Sequence, residues 1–267
     1  MLRAILITLM MFAAAPASAG KFDDARAAYN QGDYSTAFRL FRELAEQGNR
    51  SALYILGVMY DNGKGLPQDY AEAAKWYRLA ANQGHALAQY NLGYMYKYGQ
   101  GILQDYAEAA KWYRLAAEQG IAEAQYSLGI TYDQGQGVPQ DYAEAAEWYR
   151  LAAEQGYASA QYNLGNMYKY GQGVPQDYAE AVKWYRLAAE QGIDEAQTNL
   201  GLMYDEGSGV SQDNITAHMW YNIGSANGKA LGGENRDKLA ENMTPADISE
   251  AQRRARVCMN SNYQDCD

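Results

Sequence analysis

The chain repeats itself every 36 residues, and this period restricts the fold more than any other feature. The phrase Ala88-Gln89-Tyr90-Asn91-Leu92-Gly93 returns as Ala124-Gln125-Tyr126-Ser127-Leu128-Gly129 and as Ala160-Gln161-Tyr162-Asn163-Leu164-Gly165. Outlying versions are Ala52-Leu53-Tyr54-Ile55-Leu56-Gly57 and Ala196-Gln197-Thr198-Asn199-Leu200-Gly201. A period of 20 to 50 residues implies stacked units, each too small to bury a core alone.

Each unit reads as two helices. In the second copy the first helix is predicted over about Ala88 to Tyr98, because Ala88, Leu92, Met95 and Tyr96 share one helical face. Gly99-Gln100-Gly101 ends it. The second helix starts at Asp105, carries Tyr106, Ala110, Tyr113 and Ala117 on one face, and ends at Gly120, where a left-handed cap is favoured. Composition agrees: 25 Tyr against 4 Phe, with abundant Ala, suits thin helical layers in which small residues let helices approach and rings fill the gaps.

Paired carboxylates recur as Asp69/Glu72, Asp105/Glu108, Asp141/Glu144 and Asp177/Glu180. A three-residue spacing just before an apolar helical run is the pattern of a capping box, so these pairs read as helix caps rather than acid–base pairs. Gly57, Gly93, Gly129, Gly165 and Gly201 fall inside first helices, at a cost of roughly 1 kcal/mol each relative to Ala. Their recurrence predicts close helix contact, against the Ala pairs of the second helices. Trp76, Trp112, Trp148, Trp184 and Trp220 occur once per unit and read as inter-repeat packing, with a ligand-stacking strip as the alternative.

These motifs closely resemble the Sel1-like repeat family, a relative of the tetratricopeptide repeats. In the third copy the matching residues run Ala124–Gly129, then Gly135-Gln136-Gly137-Val138-Pro139-Gln140-Asp141, Ala145-Ala146-Glu147-Trp148-Tyr149 and Ala152-Ala153-Glu154-Gln155-Gly156. The resemblance covers about Gly48 to Gly228. Departures are mild: Leu103 and Ser211 replace the loop proline of Pro67, Pro139 and Pro175, and His218 and Asn222 mark a worn fifth copy. The resemblance implies an all-α, right-handed α-solenoid of helix-pair repeats with helical caps. It implies a concave face lined by first helices, and interaction or scaffold roles in envelope signalling, secretion or host contact.

The organisation expected is a signal peptide over 1–19 and a tetratricopeptide-like helix pair over 20–48. Five repeats follow over 49–84, 85–120, 121–156, 157–192 and 193–228, then a helical cap over 229–267. In the cap, Lys229 to Gly233 reads as a linker and Glu234 to Glu241 as a helix. Thr244-Pro245-Ala246-Asp247 starts a second helix reaching about Cys258. The leader has Arg3, an apolar run from Ile5 to Ala15 and the small-x-small site Ala17-Ser18-Ala19, so cleavage after Ala19 and a periplasmic or secreted address are expected. The run is too short to span a bilayer, and Gly20 rather than Cys would come first, so no membrane anchor is expected. In that oxidising setting Cys258 and Cys266 are expected to form a disulfide, contributing on the order of 2–3 kcal/mol for so short a loop.

Net charge is -10, which disfavours nucleic acid and anionic membranes. His85 and His218 sit outside any metal spacing, and the Gly-x-Gly loops follow no strand, so neither a metal, a cofactor nor a phosphate cradle is expected. Some cysteine-rich Sel1-like relatives have been linked to β-lactamase-like or penicillin-binding activity, but these repeats contain no Cys. The Ser-x-x-Lys at Ser18 to Lys21 straddles the expected cleavage site. No catalytic centre is expected.

Partner choice is expected at positions that differ between copies. One series is Val58, Tyr94, Ile130, Asn166 and Leu202, and another is Asn62, Tyr98, Gln134, Tyr170 and Glu206. A third, Asp61, Lys97, Asp133, Lys169 and Asp205, alternates in sign, which suggests ion pairs between neighbouring copies or duplication of a two-repeat block. The candidate partner-binding residues are Tyr94, Lys97, Tyr98, Asn166, Lys169 and Tyr170. The function expected is a scaffold of the bacterial envelope that holds a protein partner, such as the periplasmic domain of a membrane signalling protein. The alternative is a secreted factor contacting a host protein or glycan.

Overall fold

The computed structural model describes residues 16–266; the apolar leader run lies outside them, and side chains are described from residue 20. Those residues form fourteen α-helices and no strand. They divide into two compact units, 1–105 and 106–267. The first unit holds α1 (Pro16–Asn30), α2 (Tyr34–Glu46), α3 (Arg50–Asn62), α4 (Tyr70–Asn82) and α5 (Ala86–Tyr98). The second holds α6 (Tyr106–Glu118), α7 (Ala122–Gln134), α8 (Tyr142–Glu154), α9 (Ala158–Tyr170), α10 (Tyr178–Ala189), α11 (Asp194–Glu206) and α12 (Asn214–Ala226). It closes with α13 (Ala230–Ala240) and α14 (Pro245–Asn260). Within each unit, successive helices pack against one another in chain order, except that α14 packs on α12.

The helices start and stop where the local chemistry dictates. Asp69, Asp141 and Asp177 each accept two backbone N–H bonds from the first turn of α4, α8 and α10. The reciprocal half of the capping box does not form. The cap residues' own N–H groups already donate to the carbonyls of Tyr60, Tyr132 and Tyr168 in the preceding first helices. Glu72 and Glu180 pair instead with Lys75 and Lys183, one turn along. First helices begin two residues earlier than the periodicity suggested. In α5 the reason is visible: His85 is the N-cap, its Nδ1 accepting from Ala88 N at 3.3 Å. First helices end at a left-handed glycine, such as Gly135 (φ 65°). The second glycine of the same loop, Gly137 (φ 75°), lies against the backbone of Tyr106 and Ala107 at the start of the previous second helix. A side chain at Gly137 would be excluded by both its backbone angle and that contact, which accounts for the Gly-x-Gly spacing as a turn.

The core is Ala, Leu and Tyr. Leu56, Leu92, Leu128, Leu164 and Leu200 are wholly buried, each stabilising by roughly 1.5–3 kcal/mol. The first-helix glycines do approach the second helices closely, but the partner is a ring rather than the Ala pairs. A Cβ at Gly57, Gly129, Gly165 or Gly201 would stand 2.5 to 2.7 Å from the ring of Tyr77, Tyr149, Tyr185 or Tyr221. The Ala faces are spent on packing between helices. Trp184 and Trp220 are buried and Trp76, Trp112 and Trp148 are half-buried, with the indole N–H of all five buried and without a hydrogen-bond partner.

Polar contacts tie one copy to the next. Gln125, Gln161 and Gln197 are buried; each donates Nε2 to the carbonyl of an alanine eight residues back, Ala117, Ala153 or Ala189. Their Oε1 atoms accept from Gln155, Gln191 and Asn227, thirty residues on, at 2.7, 2.7 and 2.8 Å. On the second helices, Arg78 and Arg150 reach the hydroxyls of Tyr96 and Tyr168 at 2.7 and 3.3 Å, and Arg114 and Arg186 do the same to Tyr132 and Tyr204.

The C-terminal cap differs from expectation at its start. Residues 230–233 are helical rather than linker, because Gly232 sits where a Cβ would meet Tyr221 O at 2.9 Å, so the absence of a side chain lets α13 lie against α12. Helix α14 begins as read: Thr244 caps it, Pro245 follows, and the Thr244 side chain accepts from Asp247 N. Cys258 and Cys266 form a disulfide, with Cα atoms 4.4 Å apart. The closed loop carries Tyr263 onto Asn227, where the two side chains exchange bonds of 2.8 and 3.1 Å. Tyr263 thereby joins Asn227, which also donates to Gln197 in the glutamine ladder.

Candidate interaction surface

Of the variable series, one lies open to solvent throughout and the others are mostly half-buried. Asn62, Tyr98, Gln134, Tyr170 and Glu206, the last residues of their first helices, are exposed in every copy. The buried positions of the same helices hold the repeated residues. Part of the sequence variation therefore falls on the solvent-facing end of each first helix.

In the first unit, one turn of α5 gathers three of the sequence candidates. Tyr94 is 40% and Tyr98 53% exposed, and their rings lie 4.4 Å apart between centroids. The Lys97 ammonium stands 5.5 Å from the Tyr98 ring centre, and burial lowers its pKa from the ordinary lysine value. Two exposed rings and a cation make a surface suited to an apolar or aromatic contact with a charged neighbour.

In the second unit, α9 carries the equivalent positions. Tyr170 is 60% exposed, and Lys169 stands 5.3 Å from its ring centre. The Lys169 ammonium makes no ion pair with Asp133 or Asp205, so the alternating series is not an ion-pair ladder in this unit. The aspartates have another task. Tyr149 and Tyr221 are buried, and their hydroxyls donate to Asp133 Oδ2 at 3.4 Å and to Asp205 Oδ2 at 3.1 Å. In the first unit Tyr77 does the same to Asp61 at 3.1 Å. Burial, then the nearby carboxylate, raise the Tyr149 pKa; burial also raises that of Asp133.

Where lysine replaces aspartate, the hydroxyl finds another acceptor. Tyr185 donates to Asn166 Oδ1 at 2.6 Å, one turn earlier on the same helix as Lys169. Asn166 thus has an internal role that sequence reasoning missed. The signal was present in the coincidence of Asn166 with Lys169 in a single copy.

Asn166 also borders a cleft of about 420 Å³ between α7, α9 and α11. Its walls are the Asp133 carboxylate, the amides of Asn163 and Asn199, and the rings of Tyr162 and Tyr170. The amide of Asn163 hydrogen-bonds the Tyr149 hydroxyl. Among the described residues no group of His, Cys, Asp and Glu is arranged to hold a metal ion, and no helix is long and apolar enough to cross a membrane.

The Sel1 repeat family model matches the chain six times, over 26–49, 50–85, 86–121, 122–157, 158–193 and 194–229. The helix pair expected to be tetratricopeptide-like therefore includes a Sel1 copy over 26–49. The structure is similar to a protective antigen of uropathogenic Escherichia coli that displays this repeat fold, at 38% identity and a TM-score of 0.80. That match covers 92% of this chain and 55% of the antigen, so the chain spans about half its length. It is also similar to a Sel1 repeat protein of Oxalobacter formigenes, at 34% identity and a TM-score of 0.74, covering 87% and 94% of the two chains. No curated protein matches the chain. Six repeat matches and these solved relatives, on an all-helical frame of stacked pairs, place the chain in the Sel1 repeat family.

Proposed function

We propose that the chain is a non-catalytic scaffold of the bacterial cell envelope that holds a protein partner through the exposed ends of its first helices. Sel1 repeat proteins generally act as protein-interaction scaffolds. The observation that carries the reading is the exposed Tyr94–Lys97–Tyr98 turn of α5, with Tyr170 and Lys169 at the matching places of α9. Exposed tyrosines backed by cations on a rigid helix are inexpensive to order on binding and bury large area. A periplasmic or secreted address is supported by the leader pattern of residues 1–19 and by the Cys258–Cys266 bond. The likeness to a protective antigen favours the second reading, a secreted factor that touches a host molecule.

One experiment bears on all of this. A tagged full chain is expressed, recovered from the periplasmic extract and used to pull down its partner. The recovered chain should begin at Gly20, and a Tyr94→Ala, Tyr98→Ala, Tyr170→Ala variant of equal helicity should lose the partner. Equal recovery by both chains would remove the proposed face, and recovery of Met1-initiated protein from the cytoplasm alone would remove the address.

A further inference from the structure

We propose that the cleft bordered by α7, α9 and α11 is a subsite for one lysine or arginine side chain on an extended segment of the partner. The inference rests on the scaffold reading and adds to it the chemistry of what is bound.

Asp133 is the one acidic group lining the cleft. It is half-buried, and its carboxylate has a single side-chain contact, the long 3.4 Å bond from Tyr149. The nearest copy-equivalent cation, Lys169, is occupied over the Tyr170 ring. A partly desolvated carboxylate without a counter-ion is unfavourable unless something pairs with it. The fold itself does not call for that charge. In the next copy a neutral amide, Asn166, accepts the equivalent hydroxyl of Tyr185 at 2.6 Å, a shorter bond than the carboxylate makes. The negative charge at Asp133 is thus surplus to the packing and available to a ligand.

The other two aspartates of this series hold their tyrosines more closely. Asp61 and Asp205 accept their tyrosines at 3.1 Å, and the cleft beside Asp205 already contains Lys238. Around Asp133 the remaining walls suit a peptide. The Nδ2 of Asn166 has no protein partner, since its oxygen alone takes the bonds from Tyr185 and Asn199. The free Asn166 amide donor can meet a main-chain carbonyl, and the oxygen of Asn199, whose nitrogen is turned to Asn166, can accept a main-chain N–H. Tyr162 and Tyr170 line the cleft and give it aromatic surface for the aliphatic stem of a long basic side chain. A volume of about 420 Å³ admits one such side chain with its flanking peptide groups. The net charge of -10 draws a basic segment toward the whole chain.

The test uses a random decapeptide phage library panned on the full chain. The expected result is enrichment of Lys or Arg at one register position. A fluorescein-labelled copy of an enriched peptide should bind about tenfold more weakly to the Asp133→Asn variant, as expected for loss of one charge-assisted contact. Replacing the basic residue of the peptide by Gln should cost the same factor against the wild type and nothing further against Asp133→Asn. The substitution keeps an acceptor for Tyr149, so the melting temperature should hold; were it to fall, the peptide-side replacement still decides. Peptides without basic enrichment, an unchanged affinity in Asp133→Asn, or binding to a glycan array with no peptide recovered would each overturn the subsite. A Tyr94→Ala, Tyr98→Ala pull-down touches no residue of the cleft and is independent: its success with failure here leaves the scaffold and removes the basic subsite.

Discussion

A buried tyrosine hydroxyl needs an acceptor, and this chain supplies one from either of two positions one turn apart. Tyr149 and Tyr221 use Asp133 and Asp205, while Tyr185 uses Asn166. The same ring also explains the glycine opposite it. Gly129 faces Tyr149 so closely that a Cβ would stand 2.6 Å from Cδ1. Gly129→Ala gains roughly 1 kcal/mol of helix propensity but overpacks a wholly buried site, which costs about 1–3 kcal/mol. The expected net result is a loss of about 1 kcal/mol, with Gly129→Leu losing more. Urea unfolding of both variants checks it, and an Ala variant at or above the wild-type midpoint would show that the ring yields.

At the scale of the helix, α5 starts on a cap that titrates. The bond from Ala88 N to His85 Nδ1 exists only while that nitrogen is unprotonated. Burial first, then the nearby Arg50 charge, lower the His85 pKa below its ordinary value of 6.5. A lowered pKa means that the unfolded chain binds the proton more readily, so this contribution is complete above pH 6.5 and is lost as pH falls through the folded-state value. His85→Asn keeps an acceptor and removes the titration. Its stability relative to wild type should therefore rise between pH 7.5 and 5, measured as the difference in urea midpoint. A constant difference would show that the cap does not depend on protonation. Buried His218 is also shifted downward, by burial and Arg236, and cancels in the comparison because both chains retain it.

Helices of this kind are largely legible in sequence, for local reasons. Asp before an apolar run, Gly after it and Thr-Pro at α14 each act within a few residues, so pattern and outcome coincide. What escaped depended on the neighbouring helix. His85 carries no standard capping signature, and the start of α13 at Ala230 follows from the fit of Gly232 beneath Tyr221 O. The alternating Asp and Lys series suggested salt bridges because one-dimensional spacing shows charges but not the buried hydroxyls competing for them. The exposed candidates on α5 and α9 were legible because they are the positions at which the copies differ. The Asp133 cleft was not, since it joins three helices.

Within each unit the copies form an array in which contacts link one copy to the next. Copies tied by nearest-neighbour contacts contribute roughly additively to stability. The glutamine ladder sets the unit of that addition. Each buried Gln looks eight residues back to a carbonyl and thirty residues on to an amide. Removing residues 122–157 brings Gln161 back to Ala117 O and should give a shorter, cooperatively folding chain with a lower unfolding midpoint. Removing half that length would set a second helix where a first belongs and strand the amide, so loss of cooperative unfolding is expected there. Gene duplication or deletion can therefore alter the reach of this protein only in whole multiples of 36 residues, and natural length variants should differ by that step while keeping the Tyr263 contact with Asn227.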